Sequence, residues 1–99
     1  MKNKNMPRPR SYRKISFQPS VTYFKPQGVP LRDLEVETIS LEELEALRLK
    51  DLEGYEQIEC ARKMQTSQST FQRILWGARR KITRAFIEGK AIEVEMSEE

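Results

Sequence analysis

Between residues 40 and 88 the apolar positions repeat at helical spacing, interrupted twice by turn signals. Leu41, Leu44, Leu47 and Leu52 share one side of a helix over 41–52, because residues three and four apart lie on one face. Ser40-Leu41-Glu42-Glu43 in front of them is a capping box. The Ser40 hydroxyl can accept from the Glu43 amide, and the Glu43 carboxylate can accept from the Ser40 amide. Gly54 is a fitting stop. A short second helix over 56–63 carries Ile58, Cys60 and Ala61 and is followed by Met64. Ser67 then caps a long third helix over 68–88. Phe71, Ile74, Leu75, Ala78, Ile82, Ala85 and Phe86 fall in one stripe along it. Gly89 ends it.

Towards both ends the period shortens. Tyr12, Ile15 and Phe17 suggest a strand over 12–17, and Ile92, Val94 and Met96 alternate with Glu93 and Glu95 in a strand over 91–96. These two strands can pair, so that the N- and C-terminal strands form a small β-sheet. Pro19, Pro26, Gly28 and Pro30 make 18–32 an irregular loop, which Phe24 and Val29 can pin to the core. Val36 to Ile39 reads as a short extended lead-in to the first helix. Pro7 and Pro9 keep 1–11 out of a helix. The expected fold is mainly α: a three-helix helix-turn-helix domain over 12–96 with a small sheet, preceded by a flexible basic arm over 1–11.

Composition narrows the chemistry. The chain has 99 residues, 37% of them hydrophobic, and a mean hydropathy of −0.72. No apolar run approaches the roughly 18 residues that span a bilayer. The N-terminus is basic without an apolar stretch behind it, unlike a secretory signal. One cysteine and no histidine exclude a disulfide framework, Cys/His metal sites and histidine-based nucleophilic catalysis. A cytoplasmic protein, with no cofactor, no metal and no enzymatic activity, is the expectation. The net charge is only +3, yet it comes in blocks. Ten acids face three basic residues over 31–59, and eight basic residues face Glu88 alone over 62–90. One part of such a molecule can meet a polyanion while another repels it.

The second and third helices, joined by a short turn, have the layout of a helix-turn-helix, with Ala61 as the small residue where they cross. Such a unit offers the first half of its second helix to the major groove. Gln68, Ser69, Gln72 and Arg73 face outward there, and side chains of these types read base edges. Ser67, Thr70, Arg79, Arg80, Lys81 and Arg84 are placed for the phosphate backbone. Arg8, Arg10 and Arg13 make a candidate arm for a minor groove. Double-stranded DNA is the expected partner, met by a homodimer. A protein-interaction module of the transcription machinery, docking through the acidic first helix, is the alternative.

These residues carry a resemblance. Arg8-Pro9-Arg10, Phe24-Lys25-Pro26, Leu44-Glu45-Ala46-Leu47-Arg48-Leu49, Gly54, Ala61, Thr70-Phe71, Arg73, Ala78-Arg79 and Gly89-Lys90 make the chain similar to uncharacterised protein family 0251, also called domain of unknown function 134. The resemblance implies a prokaryotic transcription regulator with a helix-turn-helix like that of sigma-factor region 4. Gln65 stands where that family has glycine in the turn. If its backbone is left-handed, glutamine costs on the order of 1 kcal/mol there. Gln68 stands where the family usually has arginine.

Several residues have plainer readings. Cys60 reads as a small core residue. Glu42, Glu43 and Glu45 read as a cap and a solvated helix face rather than a metal site. Arg48 is in reach of Glu45 or Asp51. Trp76 lies about 140° from Phe71, off the core stripe and near Ile87 in angle. Tyr23 and Phe24 of the loop, a second copy of the chain, or DNA can each cover it. The expected dimer contact is Trp76 with Ile87.

Overall fold

A computed structural model describes residues 13–96 of the chain. Residues 1–11, with Arg8 and Arg10, lie outside it, as does Tyr12. Strand β1 is Tyr23–Phe24, β2 is Val36–Ser40, and β3 is Ala91–Glu95. Helix α1 is Leu41–Leu47, α2 is Gln57–Lys63, and α3 is Gln68–Glu88. The fold is mainly α with a small three-stranded sheet, as the sequence pattern implies.

Local signals account for the helix limits. The Ser40 hydroxyl accepts from the Glu43 amide at 3.1 Å, and the Ser40 amide donates to the Glu43 carboxylate at 3.0 Å. Ser67 caps α3 by accepting from the Thr70 amide at 3.1 Å. Gly89 ends α3 at φ 69, a left-handed turn that glycine enters without Cβ strain. The expected helix over 41–52 is divided: after Leu47 it continues as a π-helical turn, Arg48–Leu52. The widening turns Leu52 out to solvent, whereas Leu49 stays buried.

The sheet is the part that departs from expectation. Its order is β1-β3-β2, with β3 in the centre. The described part of 12–17 forms no strand. Its backbone is bonded to the helices instead: the Lys14 amide donates to the Met64 carbonyl at 3.0 Å, and the Ser16 amide to the Glu45 carboxylate at 3.0 Å. The N-terminal strand of the sheet is β1, antiparallel to β3 with Tyr23 opposite Glu93. β2 runs parallel to β3, Val36 opposite Ala91 and Ser40 opposite Glu95. A parallel pair needs a long crossover, and here all three helices supply it. The sheet therefore clamps the start of α1 to the end of α3.

Two apolar clusters result. Ala46, Leu49, Cys60, Ala61, Met64, Phe71 and Leu75 join the three helices, with Leu47 and Ile74 at the margin. Ile39, Ala85 and Ile92 join α3 to the sheet, with Leu44 and Ile82 against them. Burial of each large aliphatic or aromatic member contributes about 1.5–3 kcal/mol. Cys60 is fully buried, and burial pushes its thiol up from the ordinary range. Ile58 and Phe86, read from periodicity as inward-facing, are exposed. Phe86 sits on the edge of the stripe, where Phe24 and Pro26 lie near it but leave it exposed.

Glu45 corrects the reading of a solvated acidic face. It is buried, 1% exposed, although it lies among Glu42, Glu43 and Ala46. Arg48 holds its carboxylate through Nε at 2.8 Å and Nη2 at 3.0 Å, and the Ser16 amide takes a third bond. The Arg48 guanidinium also lies 5.1 Å from the centre of the Phe17 ring. The N-terminal segment is thereby fastened across α1.

Candidate nucleic-acid interface

α2, the turn Met64 to Ser67, and α3 form a joint whose inner surface is buried. Ala61 and Met64 close it from α2, and Phe71 and Leu75 from α3. Gln65 occupies the turn with φ 59, so the left-handed backbone considered from sequence is present. The Thr66 amide returns to the Ala61 carbonyl at 3.0 Å. These bonds and contacts fix the angle at which the first turns of α3 leave the body.

The outer side of α3 follows from the same period. Its buried positions are Phe71, Leu75, Ala78 and Ala85. At about 100° per residue the opposite face centres near Arg80, with Arg73 and Trp76 to either side of it. Gln68, Ser69, Gln72 and Arg73 are all exposed on the first half of that side. Thr70 is turned partly inward, and its amide is used by the cap. The Ser67 and Ser69 hydroxyls are 3.3 Å apart. Gln57, at the first position of α2, donates its side-chain amide to the Gln72 carbonyl oxygen at 2.7 Å. That bond leaves the Gln72 amide hydrogens pointing away from α2. Gln57 is absent from the sequence-derived set; its place at the start of α2, facing α3, was the available signal.

The basic residues of the second half divide into two groups. Arg79 makes a two-pronged pair with Asp51 at 3.0 and 2.6 Å. Its hydrogen bonds hold the Asp51 carboxyl below the usual carboxylate range. Lys81 donates to the Glu43 carboxylate at 3.1 Å and to the Thr38 carbonyl at 3.0 Å. Arg84 pairs with Glu37 at 2.9 Å. Three of the four candidate phosphate contacts in this half thus point at the acids of α1, β2 and the π-helical turn. Arg80 has no carboxylate partner among the described residues; its guanidinium lies over the Trp76 ring, 5.3 Å from the centroid. Arg73 likewise has none among the described residues. Arg13, the described member of the candidate arm, is half-buried and lies 3.7 Å from the Glu42 carboxylate on α1.

Apolar side chains are left outside at several places, Leu52 and Ile58 among them, and three of them lie on α3. Trp76 is 62% exposed, Phe86 75% and Ile87 78%. The loop does not cover Trp76. Phe24 and Pro26 lie instead beside Ala85, Phe86 and Ile92. A separate groove of about 440 Å³ is lined by Phe17, Leu44, Leu47 and Leu52. Among the described residues no group of acids, cysteine or histidine is placed to hold a metal ion, and no helix is long and apolar enough to cross a membrane.

Comparison with known proteins gives a family without a described activity. Residues 1–98 match the family described as "Protein of unknown function DUF134". A "UPF0251 protein" of Halothermothrix orenii is 57% identical over 90 residues, which are 91% of this chain and 67% of that protein. Another, of Desulforudis audaxviator, is 56% identical over 90 residues, 91% of this chain and 59% of its own length. A third, of Caldanaerobacter subterraneus, is 57% identical over 90 residues, covering 91% of this chain and 76% of the relative. The chain therefore spans between about three fifths and three quarters of these relatives. No solved structure matches.

Proposed function

The chain belongs to the DUF134 family of proteins of unknown function, and on that footing we propose that it binds double-stranded DNA sequence-selectively and without catalysis, as a cytoplasmic transcription regulator. One observation carries the reading. α3 has no acid from Gln68 to Ile87, and its first two turns present Gln68, Ser69, Gln72 and Arg73 to solvent from a rigid, buried joint. A helix held in this way fits the major groove, where glutamine, serine and arginine contact base edges. Ser67 and the first amides of α3 are suited to a flanking phosphate. Arg80 is the available cation of the second half, whereas Arg79, Lys81 and Arg84 must first leave their carboxylates. A homodimer would double this contact, and its two half-sites would lie about one helical turn, ten base pairs, apart.

Selection from a pool of random duplexes at two salt concentrations tests this. Enrichment of a motif is expected, with an inverted repeat if the protein binds as a dimer. Arg73→Ala should cost about 1–3 kcal/mol on the selected site and relax its specificity. Arg80→Ala should weaken all duplexes alike and reduce the salt slope by about one. Equal losses on selected and random DNA for both variants would remove the assignment. A protein-docking function has one observation in its favour, the apolar groove of Phe17, Leu44, Leu47 and Leu52. Absence of DNA binding at low salt would put that reading first.

A further inference from the structure

We infer that Trp76, held by Arg80, is part of the DNA-contacting row of α3. This rests on the proposed DNA reading and extends it by one residue type that the base-reading set lacks. Trp76 follows Gln72 by four residues and Arg73 by three, so it lies within about 60° of both on the helix. It lies on the exposed face beside Arg80 and is 62% open to solvent. Gln68 to Trp76 spans eight residues, or about 12 Å of helix. The major groove is also about 12 Å wide. With Gln68 and Ser69 at one side of the groove, the indole reaches its opposite wall, where sugar, phosphate and thymine methyl groups are in range. Arg80 is one further turn along, about 6 Å, at the height of the phosphates.

The charge pattern favours a polyanion over a second copy of the chain. The exposed row Ser69, Gln72, Arg73, Trp76, Arg80, Thr83 and Ile87 contains two cations and no anion. Neither cation has a carboxylate partner among the described residues, whereas the three cations flanking the second half of the row do. Two copies meeting through Trp76 would bring their Arg80 side chains together, and Glu88, the one acid lining the hollow beside them, is already held by Lys90 at 3.3 Å. The guanidinium over the indole arranges both groups before binding: the ring offers an apolar surface and an N–H donor, and Arg80 offers the charge. Contact between them survives because a cation is drawn to the ring face.

Trp76 is the single tryptophan, so its emission reports this contact directly. Addition of selected duplex to the wild-type protein is expected to change the emission, with the same midpoint as anisotropy of labelled DNA. Trp76→Ala is expected to weaken binding about tenfold, and its loss should not add to that of Arg80→Ala in a double-mutant cycle. Thermal melts should show both variants folded, since both side chains are exposed. Binding seen by anisotropy with unchanged emission overturns the inference and leaves reading by residues 68–73 intact. Emission that shifts when the protein alone is concentrated assigns Trp76 to a second copy and also overturns it. No binding to any duplex overturns the DNA reading itself.

Discussion

Removing the buried Glu45 carboxylate should be among the most damaging single changes available to this fold. Glu45 accepts three hydrogen bonds from two residues, at 2.8 and 3.0 Å from Arg48 and 3.0 Å from Ser16, and is 1% exposed. Breaking a buried ion pair from one side typically costs about 3–5 kcal/mol, because the other charge is left without compensation. Two features reduce that here. The Arg48 side chain is 22% exposed and has Glu53 at 3.4 Å as an alternative partner. Ser16 is exposed, so water can take up its amide. Glu45→Ala is therefore expected to cost about 2–3 kcal/mol. With a urea slope of about 1 kcal/mol/M for a chain this small, the midpoint followed by far-ultraviolet circular dichroism should fall by about 2–3 M. The double variant Glu45→Leu with Arg48→Met removes both charges at once and should stay within about 1 kcal/mol of the wild type. A loss below about 1 kcal/mol for Glu45→Ala, or an equally large loss in the double variant, would refute the view that an orphaned Arg48 causes the damage.

Gln65→Gly should stabilise the protein by about 0.5–1 kcal/mol, since φ 59 suits glycine better than glutamine. For a domain of this size that is a rise of several degrees in thermal midpoint, and a fall would mean that the Gln65 side chain makes a compensating contact. The Asp51–Arg79 pair gives an acid-dependent increment. Arg79 depresses the Asp51 carboxyl, so the increment is present above the ordinary value of 3.8 and is lost as pH falls through the lower folded-state value. Both side chains are about half exposed, and solvent screening holds the increment below about 1 kcal/mol. Thermal midpoints of wild type and Asp51→Asn should differ near neutrality and converge in acid, once Asp51 is protonated in the folded state; a constant difference would contradict the linkage.

How much was legible in the sequence depended on how local the cause is. Ser40 with Glu43, Ser67 and Gly89 act within one turn of their own position, so the limits of α3 and the start of α1 could be read directly. Periodicity gives the faces of the helices but not where their neighbours stop, which misplaces Ile58 and Phe86; Leu52 is misplaced because the π-helical turn breaks the period. β1 has two residues, too few for any period, and it exists because Thr22 to Phe24 lie beside β3. The parallel pairing of β2 with β3 joins residues more than fifty apart, beyond any local pattern. Glu45 looks like its neighbours in the sequence; it is buried only because Ser16 and Phe17 lie across α1. At the candidate interface, the outward residues Gln68, Ser69, Gln72 and Arg73 follow from the helical period alone. The withdrawal of Arg79, Lys81 and Arg84 does not, because their partners come from other elements.

Those pairs change what the charge blocks mean. The acidic stretch 31–59 and the basic stretch 62–90 do not form two separate faces throughout; Asp51, Glu43 and Glu37 meet Arg79, Lys81 and Arg84 within the molecule. The acids then limit how many cations α3 can give to DNA. Arg79 is the sharpest case, because it borders the exposed row and is about half exposed. Each phosphate neutralised adds about −0.9 to the slope of log K against log salt. If Asp51 withholds Arg79 from duplex DNA, Asp51→Asn should tighten binding at low salt and steepen the slope by about one unit. The companion Asp51→Asn with Arg79→Ala should return the slope to the wild-type value. An unchanged slope in Asp51→Asn, in a protein that still binds DNA, would mean that Arg79 already exchanges its carboxylate for a phosphate on binding, and that the acidic stretch sets stability rather than affinity.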